Sequence, residues 1–553
     1  MNISVKAIRG LIITVSVFGL LLRLIFALLP LQTHLLVLED DAWMVTAIAR
    51  NWAMGQGITA DGITPTNGFH PLYPLTLGAL PYVVAPNNLA FGFTANLVIC
   101  ALLASAVMWP LWHLLKHWMN WQAGLFGLVL YALNPTLVRL TVNGMETSMA
   151  LLMWVTTLLV AVKIKPEKLS HNLGLAGLTA AMILTRLDGA LLFASIAAAR
   201  LIWALRAKRL RSELPMLTTY VGVTFGLLVP YFWRNLTVFG SFSPSSGKAL
   251  TYLHSYANSY AISNGIDGWY VNSAISMEVL GRSVVGAAMW LAIFGIFVGL
   301  WVGRQLWFGL PLLLYLPIPL VYYGYMMQQD NPRHFVPWSL AVIILLAWAL
   351  AAMLQRLPSI SYLAVPAIIA GVLIVQTLDS SQFWREKETA PSQSQPTMYQ
   401  AALWMRDNLP SDALIGAKNS GIYQYYSGHH VLNIDGKLNN DILAVYDQRR
   451  MLDYLREKGV TYLIDQESTM ADHIQFYSYQ FGERPEHRVP TTLTQFKIYG
   501  QLLLSSLGVA DKPALDRRDG FVPNQPFSSI TTVIQRFQRP NDSNNPIAIF
   551  ELN

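Results

Sequence analysis

The sequence predicts a polytopic α-helical membrane protein of about eleven transmembrane helices followed by a C-terminal extracytoplasmic α/β domain. Three observations carry that expectation. Of 553 residues, 54% are hydrophobic and only 12% charged, where a soluble chain carries about a quarter charged residues. The charge is unevenly placed: residues 1–377 hold 21 Lys/Arg and 11 Asp/Glu, net +10, whereas 378–553 hold 17 and 20, net −3. Apolar runs of roughly 16–25 residues recur through the first part and stop where the second begins. A purely soluble enzyme is excluded, and the basic balance reflects membrane topology rather than nucleic-acid binding.

The first run, at 9–30, follows MNISVKAIRG. It is too long for a signal-peptide core and lacks a small-residue cleavage site, so it reads as a retained span. Further runs lie near 88–115, 121–138, 146–164, 172–186, 189–206, 215–233, 284–303, 307–326, 335–355 and 359–377. The Pro-rich 71–86 stretch reads as interfacial or as part of the second span. With a cytoplasmic N-terminus, alternate loops collect 13 of the 21 basic residues, including Lys163, Lys165, Lys168, Arg206, Lys208, Arg209 and Arg211. The opposite face receives nine of the eleven acidic ones, so the positive-inside rule and an odd span count export the tail. The expected location is the cell (inner or plasma) membrane.

The chain is thus divided into a membrane domain, 1–377, carrying outer loops 31–70 and 234–283, and a soluble domain, 378–553, joined through the SQSQPT linker near 392–397. In the tail, MLDYLREKG runs through a Gly stop into the strand-like VTYLID, and ALWMRDNLPSDALIGA repeats helix, turn and strand. The lone cysteine, Cys100, lies in an apolar run and precludes an intrachain disulfide.

Candidate chemistry gathers at the outer ends of spans. The first loop opens LEDDAWMV, placing Asp40 and Asp41 before a helical pattern. One aspartate suits an N-cap, but two exceed what a cap requires, and a carboxylate at the membrane surface is placed to take a proton from an alcohol. The loop continues through ITADGITPTNGFHPLYP, whose D-G, T-P, N-G and H-P pairs force turns around Asn67 and His70. Glu146 opens the span after NGMET, with a plain cap as its simpler role. Arg186 and Asp188 in TRLDGALL read either as a snorkelling pair at a helix hairpin or as functional charges. Arg234, Lys248, Arg333 and His334 are basic groups on the face where positive charge is scarce, which suits an anionic ligand at the outer leaflet. Asp41, His70 and Glu146 are candidate ligands for a divalent metal, although no helical ligand spacing is present. In the tail, Gly421, Tyr425, Tyr426, Asn433, Asp435 and Gly436 form a turn-rich aromatic stretch, read first as structural and second as an acceptor contact.

An outer carboxylate pair with scattered outer cations suits transfer of a group from a lipid phosphate to an alcohol. The phosphate is already a good leaving group, so the site needs a base and cations rather than a paired acid and base. The order DDAWMVTAIARNWAMGQGITADGITPTNGFHPLYP, NGMET, TRLDGALL, GSFSPSSGKAL and NPRHFVP resembles the membrane-integral C-type glycosyltransferase superfamily, in its protein-mannosyltransferase-like, aminoarabinose-transferase-like and arabinofuranosyltransferase-like branches. The resemblance covers most of 1–340 and extends to WMRDNLPSDALIGAKNSGIYQYYSGHHVLNIDGKLNN in the tail. It implies an inverting transfer from a polyprenyl-phosphate-linked sugar donor to a glycan, lipid or protein acceptor. Asp40 is matched to the general base, and Asp41 to the neighbour that positions acceptor, donor or metal. Arg333, His334, Lys248, Arg234 and Arg186 become candidates for the donor phosphate, and Glu146, His70, Asp188 and Asn67 for sugar or acceptor contact.

The rival is a transporter or flippase for a polyprenyl-linked or lipid intermediate. That function predicts ionisable residues deep within spans and internal repeats; here the charges concentrate at the outer ends of spans, and no repeat is found. A membrane-anchored binding protein working through its tail leaves the acidic loop without a role.

Overall fold

In the computed structural model, residues 5–250, 252, 309–319, 322–323, 331–356, 358–389, 394–478, 527–539 and 542–553 are described. The expected span at 284–303, most of the 234–283 loop, the 326–330 part of the MMQQDNPRHF stretch and the start of the linker lie outside them. Two compact units result. One contains Met1–Leu28, Leu97–Phe232 and Ile275–Gln382, the other Leu29–Asn96, Trp233–Ala274 and Phe383–Asn553. The first outer loop, assigned by sequence to the membrane domain, therefore packs in one unit with the C-terminal sheet.

Among the described residues, six helices are long and apolar enough to cross a membrane: Val5–Ala27, Leu89–Trp118, Gly189–Arg206, Leu210–Phe239, Pro332–Arg356 and Leu363–Lys387. The pair Trp121–Ala132 and Pro135–Thr141, bent by 67°, makes a seventh if counted as one span. Thr147–Lys163 and Leu169–Thr185 are helices where spans are expected, but each has 17 residues. At 1.5 Å per residue such a helix reaches about 26 Å, short of a hydrocarbon core of about 30 Å. The expected count of about eleven is therefore not reached among the described residues. The Pro-rich 71–86 stretch is no span, since its turns lead only into the short helix Leu80–Val84.

Within the helical unit, Val336–Arg356 is the axis of the core. Every residue from Val336 to Ala352 is buried, the outcome expected of a helix that is apolar all round. Arg23, on the otherwise apolar Val5–Ala27 helix, is fully buried. Its guanidinium donates to the carbonyls of Tyr131 and Ala132, at 3.2 Å each, and lies over the Tyr131 ring. These carbonyls are at the end of the Trp121–Ala132 helix, where the chain breaks before Pro135 and helical partners run out. Arg23→Leu is expected to strand them and lower stability by about 1–3 kcal/mol. Thermal unfolding of the detergent-solubilised variant would show it, and an unchanged midpoint would mean that solvent takes the arginine's place.

In the second unit, β1 (Leu414–Ala417), β2 (His430–Asn433), β3 (Tyr462–Gln466), β4 (Thr531–Arg539) and β5 (Asp542–Leu552) form a sheet ordered β2-β1-β3-β5-β4. β1 pairs in parallel with β2 and β3, whereas β5 runs antiparallel to both β3 and β4. The expected α/β character of the tail holds. Met451–Glu457 is the MLDYLREKG helix, and Gly459 turns the chain at φ +75° into β3. Ile434, Leu455, Leu463, Met470, Ile474 and Phe550 fill the core beside it. Alternate residues of β4 are buried or partly so, the period of a strand with one face covered.

Candidate active site

Asp40 and Asp41 occupy the first turn of the helix Asp40–Ala53. Glu39 is the N-cap residue and makes no side-chain cap bond, so capping of their own helix does not explain the pair. Asp40 instead reaches a distant part of the chain. Its Oδ2 accepts from the Gly421 amide and its Oδ1 from the Ile422 amide, both at 2.8 Å, at the start of the helix Gly421–Tyr426. The two backbones lie so close that a Cβ on Gly421 would stand 2.3 Å from the Asp40 carbonyl oxygen. Gly421→Ala is therefore expected to separate the two segments and reduce stability by about 1–3 kcal/mol. Wild-type resistance of that variant to heat and protease would contradict the close approach.

Burial dominates the ionisation of Asp40 and pushes it up to about 7. The amides of Ile422 and Gly421 favour the carboxylate and oppose that rise, the charge of Asp41 adds to it, and Lys437 opposes it. Asp41 is more open. Lys437 Nζ lies 3.4 Å from its Oδ1 and 3.6 Å from Asp435 Oδ2, so one ammonium stands between two carboxylates. Asp435 in turn accepts from the Lys437 amide at 2.9 Å, closing a turn through Gly436, whose φ is +82°.

The same unit contains four further candidates. Asn67 is buried and accepts from the Ser245 amide at 3.0 Å and from Asn440 Nδ2 at 3.1 Å, a pin between three distant segments. His70 is half-buried. Arg234 Nη2 donates to the Thr66 carbonyl at 3.4 Å and stacks on Phe239, whereas Lys248 is exposed on the helical stretch 245–250.

The other candidates meet in the helical unit. Glu146 is the N-cap residue of Thr147–Lys163 and makes no side-chain cap bond; its carboxylate pairs with Arg186 Nη1 at 3.0 Å. Arg186 also binds Asp188 through Nε and Nη2 and donates from Nη2 to the Tyr323 hydroxyl at 3.3 Å. Tyr323 donates to Asp188 as well. The ion pairs are buried, so the snorkelling alternative fails. His334 Nδ1 lies 3.0 Å from Arg186 Nη2. Because arginine only donates, a hydrogen bond here has Nδ1 as its acceptor. Arg333 Nη1 contacts the Met145 sulfur at 3.2 Å. Arg186, Asp188, Trp154, Met182 and Tyr315 line a small cavity.

Sequence reasoning missed Lys437 and the two tail amides on Asp40. Gly421, Asp435 and Gly436 did stand out, but as elements of a turn. Among the described residues, no group of three or more His, Cys, Asp or Glu is placed to hold a metal ion.

This chain has the fold of the membrane-integral C-type glycosyltransferase superfamily. ArnT from Cupriavidus metallidurans bound to undecaprenyl phosphate superposes with a TM-score of 0.54 over 98% of each chain, at 13% identity. The Archaeoglobus fulgidus oligosaccharyltransferase tethered with an acceptor peptide containing the NVT sequon gives 0.54 over 85% of this chain and 70% of that one, at 11% identity. AglB from Archaeoglobus fulgidus in complex with an inhibitory peptide and a dolichol-phosphate gives 0.53 over 86% and 72%, at 12%. A domain of unknown function, DUF8728, matches residues 383–507. No curated protein matches the sequence.

Proposed function

We propose that the protein transfers a sugar, hexosyl or pentosyl, from a polyprenyl-phosphate-linked donor to an acceptor hydroxyl, with Asp40 as the general base. In this scheme the N-terminus is cytoplasmic, and the C-terminal sheet and the aspartate loop face the extracytoplasmic side of the cell membrane. The acceptor oxygen bonds to the anomeric carbon as the bond from that carbon to the phosphate oxygen breaks. A single displacement of this kind inverts the centre. The pair of electrons leaves with the polyprenyl phosphate, and the acceptor proton passes to Asp40.

The observation that carries this proposal is the state of Asp40. A carboxylate with a pKa near 7 is a far better base at neutral pH than one near 4, and two amides fix its orientation. Two proteins of the same fold are described with polyprenyl-type phosphates bound, undecaprenyl phosphate in ArnT and dolichol-phosphate in AglB, which supports a lipid-linked donor here. Lys248 and Arg234, in the unit that contains Asp40, supply positive charge for the departing phosphate. Arg186 is shared between two carboxylates, so its part is to order the donor region rather than to meet the phosphate. Glu146 and Asp188 hold Arg186 in that arrangement, Asn67 holds the first loop, and His70 is the remaining candidate for sugar or acceptor contact.

The test is transfer of labelled sugar from a panel of synthetic polyprenyl-phosphate sugars to membrane extracts, with wild type beside Asp40→Asn. Label moving only with wild type identifies reaction and donor. If no donor gives transfer, while the protein moves labelled polyprenyl lipid across proteoliposomes, the enzyme assignment falls and a transporter takes its place.

A further inference from the structure

The C-terminal sheet has three parallel strands, β2-β1-β3, and the edge at their carboxyl ends is already occupied. In open sheets with parallel strands, ligands lie beyond the carboxyl ends of the strands, beside the point where the strand order reverses. Here β1 and β2 are followed by Lys418–Ser420 and Ile434–Lys437, and β3 closes on Asp465–Gln466. Onto two of these ends comes the first loop of the same chain. Asp40 sits on the amides that follow Ser420, and Asp41 meets Lys437. The fit leaves no room for a side chain. A Cβ on Gly68 would stand 1.6 Å from the Lys437 carbonyl oxygen, and that oxygen accepts from Ser245 Oγ at 2.7 Å. Beyond that edge, the first loop also meets the other end of β2, where His430 Nδ1 lies 2.6 Å from the Asp61 carbonyl oxygen, and the hydroxyls of Tyr82 and Tyr425 lie 2.8 Å apart.

We propose that Lys437, backed by Asp435, is the positioning residue through which the C-terminal sheet holds the Asp40–Asp41 pair in working geometry. The sheet is then a built-in part of the catalytic apparatus, and its strand-end edge a socket for the first loop rather than a separate substrate site. The role rests on the glycosyl-transfer proposal above. Two adjacent aspartates repel each other, and a single ammonium facing one of them relieves that repulsion. With Asp435 as second partner, the ammonium is held from behind and cannot swing away with Asp41 alone. An aliphatic side chain of similar length fills the space without the charge, whereas an arginine keeps the charge with a different shape.

The experiment uses the full-length protein in four forms: wild type, Lys437→Met, Lys437→Arg and, as an exposed control, Arg406→Ala. Lys437→Met is expected to lower kcat on the order of 10²-fold with little change in KM, since the acceptor and donor still bind but the base is displaced. Its acid limb should move to higher pH, because the charged and titratable groups facing Asp40 are then Asp41 and Tyr423 without the opposing ammonium. Lys437→Arg should recover most of the turnover, and the control should match wild type. Hydrogen exchange of residues 40–53 gives a readout that needs no activity, with faster exchange expected in Lys437→Met. Wild-type kcat and an unmoved acid limb in Lys437→Met would overturn the proposal. If wild type itself transfers nothing, the enzyme assignment fails separately; loop exchange then decides the clamp alone, and identical protection in Lys437→Met overturns that too.

Discussion

Transfer by the wild-type protein is expected to fall about tenfold for each pH unit below about 7, rather than holding level down to the usual carboxylate range. The sign follows from burial. Asp40 is displaced upward from 3.8 to about 7, so between those values the folded protein holds a proton on the group that must be empty to accept one. The two amides at 2.8 Å make the ionised form tolerable but do not return it to its ordinary range. Asp40→Asn is expected to reduce turnover by 10² to 10⁴-fold, the usual contribution of a general base. Its amide also turns a donor toward one backbone N–H, so part of the loss is positional. The pH dependence separates the two effects. A loop merely displaced by Asn leaves the wild-type acid limb unexplained, whereas an acid limb near 7 in kcat/KM marks a titrating group in the free enzyme. A wild-type profile flat from pH 8 to pH 5 would remove Asp40 from the base role and leave Asp41 in its place.

The same raised value has an opposite consequence for stability. A proton bound by the folded chain and not by the unfolded one stabilises the fold, so this contribution is full below about 4 and is lost as pH rises through about 7. The conditions that ionise Asp40 are those under which this buried aspartate opposes folding most. Lys437 lies where it offsets that opposition, on the strand-end turn nearest the pair.

What the sequence could reveal is set by range. The tail's helices and strands are legible because the signal is local: an amphipathic period, a Gly stop and then alternating or continuous apolar residues, as in MLDYLREKG followed by VTYLID. The aspartate pair is legible because two adjacent carboxylates exceed the needs of a cap. Lys437 is not, since it stands 396 residues from Asp41 and in sequence merely ends a D-G turn. Gly68 and Gly421 look like ordinary turn glycines, and only the packed backbones explain why neither has a side chain. Two of the expected spans are shorter among the described residues for a physical reason as well. Hydropathy identifies 147–163 and 169–185 as apolar, but it does not say how far a 17-residue helix extends. His334 looks like a cation in NPRHFVP, and becomes an acceptor only because Arg186 faces its Nδ1.

Replacing Arg186 by Leu is expected to be the most destabilising single change in the helical unit, by about 3–5 kcal/mol. The arginine is almost fully buried, and its removal leaves the carboxylates of Glu146 and Asp188 in an apolar surrounding with no cation between them. It also takes a donor from His334 Nδ1. Lysine is a poor substitute, because one ammonium cannot reproduce the fork that reaches Glu146 through Nη1 and Asp188 through Nε and Nη2 at once. The triple variant Arg186→Leu, Glu146→Gln, Asp188→Asn removes the stranded charges and should recover most of the lost stability, since an absent buried ion network costs far less than a broken one. Thermal unfolding of the purified proteins in detergent separates these outcomes. A midpoint for Arg186→Leu equal to wild type would mean that the carboxylates reach water. Restored stability in the triple variant without restored transfer would show that the network orders the donor region rather than only holding the helices together.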